Sequence, residues 1–342
     1  MRIAFDGTTL TPWRTGVGYY TEHLLQHLAR EVEATGDELI VISNQPIDIS
    51  TPLPRHVHVH KRWFFPVRIG WIQLIAARVL EDLQADVAHF TSGMLPLGTG
   101  AARVVTIHDM SLTLFPRYHP TRRLVINRPL QSLAARVADR VVAVSHSARR
   151  DLMRLHRLPS DRISVVREAA GPGFEPITSL ARRSRIRSRY DLPERFILYV
   201  GAIEPRKNLP RLMNAFAIAR ARGIPHDLVC VGPYGWASRD LYACIDRLGL
   251  RRAVHFTGYV PVNDLPVIYN LGELFVFPSL YEGFGLPVVE AMACGTPVIT
   301  SNTSSLGEIA DGAAVTIDPG DIEALAGAIV AVASDENQRE EL

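Results

Sequence analysis

The chain has 342 residues, a net charge of +2 and 47% hydrophobic residues. That length exceeds one ordinary core, so two domains are expected, and 21% charged residues is the balance of a globular enzyme rather than a disordered chain. Cys230, Cys244 and Cys294 form no CxxC pair and no metal spacing, which excludes a disulfide-stapled or cysteine–zinc design and fits a reduced, cytoplasmic setting.

The opening residues, Met1 to Asp6, run straight into a strand-like segment, so no signal peptide is expected. The longest apolar runs are broken by Gln73 or Arg78, short of a membrane span. Charge is unevenly placed: residues 1–192 hold 26 Arg and Lys against 17 Asp and Glu, and residues 193–342 hold 11 against 18. A basic first half suits an anionic acceptor or an anionic membrane surface, although solvated helix faces would account for the same arginines. Nucleic acid is not an expected partner, because no basic–aromatic repeat or binding motif occurs. Only two lysines occur, Lys61 and Lys207, against 35 arginines.

Strand-like runs at residues 3–5, 39–42, 87–90, 104–107, 141–144 and 163–165 alternate with helical patterns. After a break the same alternation returns at 197–200, 228–231, 254–256, 274–277, 297–300 and 314–317. This is the signature of an α/β fold with two doubly wound parallel sheets, with ligands expected at the carboxyl ends of the strands. The expected division is a first domain over 1–170, a linker and basic helix over 171–192, and a second domain over 193–342.

After the first strand, Arg14-Thr15-Gly16-Val17-Gly18 opens a helix. Gly16 and Gly18 could bring backbone close to a phosphate, but a third glycine is missing and a plain strand-to-helix turn fits as well. The cationic, aromatic segment 61–72 reads as a helix edge in a core, or as a lipid-interface element. His89 and His108 each sit at a strand's carboxyl end, where α/β proteins place their chemistry, and Asp109 could orient His108. Ser145 reads as a helix N-cap. In the second half, Arg206 and Lys207 stand side by side just past a strand. Two cations beside a helix start suit a diphosphate, and Asn208 suits the N-cap of that helix. The strand-end loops 231–235 and 258–260 could cradle a base or ribose, or could be simple turns.

The last motif is Glu282-Gly283-Phe284-Gly285-Leu286-Pro287-Val288-Val289-Glu290. A buried strand precedes it, a helix starts near Leu286, and Pro287 is tolerated in the first turn. Glycine loop and helix start together make an anion site, with one glutamate on each side.

On these residues the chain resembles family 4 of the retaining glycosyltransferases, which have the GT-B fold of two Rossmann-like domains facing a cleft. The spacing from Glu282 to Glu290 matches that family's E-x7-E motif. Gly201-Ala-Ile-Glu-Pro-Arg-Lys-Asn-Leu209 and Thr106-Ile-His-Asp109 look like its mannosyltransferase-type members.

The resemblance implies a nucleotide-diphosphate sugar bound mainly by the second domain and an acceptor bound by the first. Arg206 and Lys207 would take the diphosphate, Glu290 the ribose hydroxyls and Glu282 the donor sugar. The backbone over Gly283, Phe284, Gly285, Leu286, Pro287 and Val288 would cap a phosphate. Gly16 and Gly18 would approach the phosphates, and His108 would face the reacting sugar. The sequence departs from the family in carrying Ala202 where many members carry arginine. The family usually continues into a helix that crosses back to the first domain, which is not expected within these 342 residues.

The expected activity is retaining transfer of a hexose, mannose first, from a nucleotide sugar to a glycan or lipid-linked glycan. It is expected to need no metal and no further cofactor, and to run in the cytoplasm or at the inner face of the membrane. A nucleotide-sugar epimerase of the same build, a glycoside hydrolase using the two glutamates, and a catalytically inactive nucleotide-sugar-binding subunit are the alternatives.

Overall fold

The computed structural model describes residues 1–12, 14, 16–61, 67–233 and 238–342. Thr15 of the glycine loop, residues 62–66 of the cationic aromatic segment, and Tyr234 and Gly235 lie outside the described residues. The chain divides into two compact units, Met1–Glu168 and Ala169–Leu342.

The first unit carries, among the described residues, a seven-stranded sheet. Its strands are β1 (Arg2–Asp6), β2 (Glu38–Ser43), β3 (Val57–Lys61), β4 (Val87–Phe90), β5 (Ala102–Ile107), β6 (Arg140–Ala143) and β7 (Ile163–Val165). Every pairing is parallel, in the order β3-β2-β1-β4-β5-β6-β7. Successive side chains point to opposite faces, so the sheet feeds two apolar layers. Phe5, Leu39 and Val41 pack on one face with Leu25 and Ala29 of helix Gly16–Thr35. Ala4, Ile40 and Ile42 share the other with Trp71, Leu80, Ala134 and Leu152.

Strand β3 is an addition to the six expected here. It lies at the edge of the sheet, pairs only with β2, and alternates Val57 and Val59 with His58 and His60. Such a strand lacks the continuous apolar run that marks the buried ones. The described part of segment 61–72 enters the core: helix Arg68–Leu74 buries Trp71 and Ile72.

The second unit carries, among the described residues, six strands: β8 (Phe196–Val200), β9 (Asp227–Val231), β10 (Val254–Gly258), β11 (Leu274–Phe277), β12 (Val298–Ser301) and β13 (Val315–Ile317). They are parallel in the order β10-β9-β8-β11-β12-β13. β8 and β11 are buried along their whole length, as strands covered on both faces must be. Helix Leu180–Arg189, rich in arginine, belongs to this unit and buries only Ile186.

At the amino ends of these strands Glu273 accepts from Arg195 Nε and Nη2, both at 2.9 Å, and pairs with the buried His226 at 2.9 Å. The Arg195 hydrogen bonds hold the Glu273 carboxyl down at about 2.

Both sheets reverse their strand order once: between β1 and β4 in the first, and between β8 and β11 in the second. Open α/β sheets hold ligands at the carboxyl side of such a reversal, because the following loops diverge there and leave a crevice.

Candidate active site

In the second unit the loops after β8 and β11 meet at the reversal. The turn Pro205–Lys207 follows β8 and brings in Arg206 and Lys207. Ser279 and Glu282 follow β11. Lys207 Nζ lies 2.6 Å from Glu282 Oε1, and Arg206 Nη1 lies 2.8 Å from Oε2. Ser279 donates its hydroxyl to the same Oε1 at 2.6 Å. Arg206 Nη1 also donates to the carbonyl of Tyr281, and its other terminal nitrogen, Nη2, pairs with Glu204 at 2.9 Å. Lys207 also lies 5.0 Å from the centre of the Phe277 ring, a cation–π distance.

These four charged side chains sum to zero, and each is at most 12% exposed. Burial by itself would raise the Glu282 carboxyl. Arg206, Lys207 and the Ser279 hydroxyl overcome it and hold Glu282 at about 2, so it is ionised at any working pH. Arg206, Lys207 and Glu282 stood out separately in the sequence, and the structure brings them into direct contact. Sequence reading gave no role to Glu204 or Ser279, though both stand in the same strand-end loops.

Asn208 does not cap helix Leu209–Ala221 with its side chain. It adopts φ +66° and its amide donates to the carbonyls of Pro278 at 3.0 Å and Pro319 at 2.8 Å. Its Oδ1, the atom a cap would use, accepts instead from the Arg211 guanidinium at 2.8 Å.

The glycine loop runs through Gly283, Phe284 and Gly285 into helix Leu286–Ala293. Gly285 has φ +121°, and a Cβ there would strike Leu306 at 2.7 Å, so only glycine fits. Ser304 Oγ accepts from the Glu282 N–H at 3.1 Å, and Ser305 Oγ donates to the carbonyls of Glu282 and Phe284, which pins the loop. The helix start offers an anion less than its position suggests. Pro287 has no N–H, and the Val288 N–H already donates to the Gly285 carbonyl at 2.9 Å. Glu290, half-buried one turn on, accepts from the Tyr269 hydroxyl at 2.8 Å.

In the first unit, Gly16 and Gly18 form the first turn of helix Gly16–Thr35. Gly18 is needed for packing: a Cβ would meet Arg14 Cγ at 2.9 Å and the Thr9 carbonyl at 3.0 Å. Arg14 is in turn ion-paired with the buried Glu22 and with Asp48. His89 lies within β4, not past it. It bonds Thr106 Oγ1 at 2.9 Å and meets Phe5 edge-on, and burial lowers it to about 4, so it stays neutral.

His108 follows β5 directly. Its Nε2 lies 2.8 Å from the Thr91 carbonyl and its Nδ1 3.0 Å from Glu168 Oε1. Both partners accept only, so both ring nitrogens donate and the ring is an imidazolium. Burial opposes that charge, but Glu168, Thr91 and Asp109 outweigh it and raise the group above its ordinary value. Ser145 caps helix His146–His156, accepting from the Ala148 N–H at 2.9 Å. Among the described residues, no group of three or more His, Cys, Asp or Glu could hold a metal ion, and no helix is long and apolar enough to cross a membrane.

Two doubly wound units give the chain a GT-B fold, and its family matches make it a glycosyltransferase. Residues 14–169 match Glycosyltransferase Family 4, and residues 182–342 match Glycosyl transferases group 1. The chain is 31% identical to O-antigen chain mannosyltransferase B of Escherichia coli, over 99% of its own length and 92% of the relative's. It belongs to this family of glycosyltransferases.

Two solved structures share the fold. One is WaaG, a glycosyltransferase involved in lipopolysaccharide biosynthesis, with a TM-score of 0.75 at 18% identity over 99% of this chain and 92% of that one. The other is Anabaena Alr3699/HepE in complex with UDP-glucose, with a TM-score of 0.73 at 21% identity over 100% and 92% of the two chains.

Proposed function

We propose that the chain moves a hexose, mannose first, from a nucleoside-diphosphate sugar such as GDP-mannose to a glycan or lipid-linked glycan in polysaccharide biosynthesis. The observation that carries this reading is the Arg206–Lys207–Glu282 cluster at the carboxyl ends of β8 and β11. A diphosphate leaves with growing negative charge, and fixed cations beside it lower the barrier, each by about 2–4 kcal/mol in comparable sites. Lys207 and Arg206 act on the diphosphate, Glu282 on sugar hydroxyls, and Glu290 on the ribose. His108, an imidazolium whose two N–H groups are already bonded, contributes its positive charge and no hydrogen bond to a sugar. The anomeric configuration is retained by front-face attack, the departing phosphate taking the acceptor's proton, and no metal is required. The relative's activity as an O-antigen chain mannosyltransferase supports mannose and a cell-envelope glycan.

The enzyme works at the inner face of the membrane, held there by helix Thr121–Val137. That helix buries only Ala134 and Ala135 and has no acidic residue. Arg122, Val125, Ile126, Pro129, Leu133 and Arg136 fall on one exposed face, at steps of three and four. Val125 is 68% exposed. Apolar residues between arginines suit the boundary of an anionic bilayer.

The deciding experiment incubates the enzyme with GDP-mannose and a mannose-terminated lipid-linked acceptor, with and without EDTA, and reads the product's anomeric configuration by NMR. Retained configuration with full rate in EDTA supports the reading. Inversion, or loss of rate with chelator, rejects the mechanism; failure to turn over any nucleoside-diphosphate sugar rejects the activity.

A further inference from the structure

Tyr269 lies in helix Leu265–Leu271 and is fully buried. Its ring meets Phe275 edge-on at 5.5 Å and Phe174 at 5.9 Å. Its backbone carbonyl accepts from Thr296 Oγ1 at 2.8 Å. Ring and backbone are thus both fixed, and the one polar atom of the side chain ends 2.8 Å from Glu290 Oε2. Burial, and then the charge of Glu290, push the phenol well above its ordinary range, so the hydroxyl keeps its proton and donates.

Packing alone does not explain this contact. A phenylalanine would fill the same core, and a buried hydroxyl is kept only where it meets a partner. The partner here is a half-buried carboxylate on a neighbouring helix, Leu286–Ala293. A glutamate has three rotatable bonds, and a pair of adjacent hydroxyls is held well only when the carboxylate plane faces them. A hydrogen bond to Oε2 from a rigid donor fixes that plane. A carboxylate accepts about four hydrogen bonds, so taking one from Tyr269 does not exhaust it.

We infer that Tyr269 is a positioning residue for nucleotide binding: its buried hydroxyl holds the Glu290 carboxylate in the orientation that receives the two hydroxyls of a ribose. This rests on the reading of Glu290 as the ribose ligand. Tyr269 touches no ligand itself. Its effect is carried by Glu290 and depends on the diol being present.

The test uses the full chain and calorimetric titration with GDP and UDP and with their 2′,3′-dideoxy forms. Wild type, Tyr269→Phe and Glu290→Gln are compared on the base that binds tighter. Wild type loses at least tenfold in affinity when the diol is removed. Tyr269→Phe, lacking one hydrogen bond to a charged group, binds the ordinary nucleotide about tenfold more weakly but the dideoxy nucleotide as wild type does.

Equal weakening toward both nucleotides would mean a merely structural tyrosine and overturns the inference, as does wild-type affinity for both. If wild type and Glu290→Gln alike ignore the diol, the reading of Glu290 fails, and the role of Tyr269 falls with it. The diol comparison is internal to each variant, so partial loss of fold cannot imitate the expected result.

Discussion

His108 donates through Nδ1 to Glu168 Oε1 at 3.0 Å, while its Nε2 faces the Thr91 carbonyl at 2.8 Å. A histidine between a carboxylate and a carbonyl is a fixed cation and not a base, because neither nitrogen keeps a lone pair to accept a proton. The raised value sets a sign. The charged form contributes stability fully below the ordinary value of 6.5, and that contribution is lost as pH rises through the higher folded value. In Glu168→Gln the His108 ring should titrate lower than in wild type, followed by its ring-proton NMR signals. An unchanged titration would remove Glu168 as the cause.

The two cations of the second unit should separate by variant. Lys207→Ala should cut turnover by about two to three orders of magnitude, as loss of one leaving-group donor does. Arg206→Ala strands the carboxylates of Glu204 and Glu282, so it should lower the melting temperature as well, by an amount reflecting about 3–5 kcal/mol. Steady-state rates and thermal melts of the two proteins, run side by side, check the division. Equal melting losses would contradict it.

Acid should unfold the second unit over a definite window. Glu282 and Glu273 are both held at about 2 against an ordinary 4.5. A depressed carboxyl contributes stability above its unfolded value and loses it as pH falls toward the folded one. Stability should therefore decline from about pH 5 to about pH 2, which circular dichroism against pH would follow. Glu273→Gln should flatten part of that decline while leaving nucleotide binding intact, since Glu273 sits at the opposite end of the strands from Lys207. A decline of unchanged steepness would exclude Glu273 as a contributor.

Membrane attachment should follow helix Thr121–Val137. Arg122→Glu combined with Arg136→Glu should abolish sedimentation with vesicles of anionic lipid, and Val125→Ser should weaken it in high salt, where the charge term is screened. Wild-type sedimentation of the double variant would place the contact elsewhere. Soluble acceptor analogues should still be glycosylated by both variants, because the substitutions lie on an exposed face.

Most of the architecture was legible because parallel strands buried on both faces are written as unbroken apolar runs; Phe196–Val200 is the plainest case. Strand Val57–Lys61 escaped because an edge strand needs only alternate residues apolar. Arg206, Lys207 and Glu282 were each singled out in the sequence, as two adjacent cations past a strand and an acid opening a glycine loop, but their ion pairing was not legible. Nor were their partners. Glu204 and Ser279 act at distances set by how two loops approach each other, and Tyr269 reads as one more apolar residue of a short helix. Glu168 sits 60 positions from His108, and only the fold brings β7's end to β5's.

Gly232 lies so close to the loop after β8 that a Cβ on it would sit 2.2 Å from the carbonyl oxygen of Gly201. Gly201 in turn donates to Val231 O at 2.8 Å, and Ile203 to Pro233 O at 3.1 Å. The loops after β8 and β9 are consequently one mechanical piece. Any attempt to retarget the enzyme to another donor by grafting a relative's loop would have to transplant both together. A single exchanged loop would displace the turn that carries Arg206 and Lys207 before it altered any choice of base.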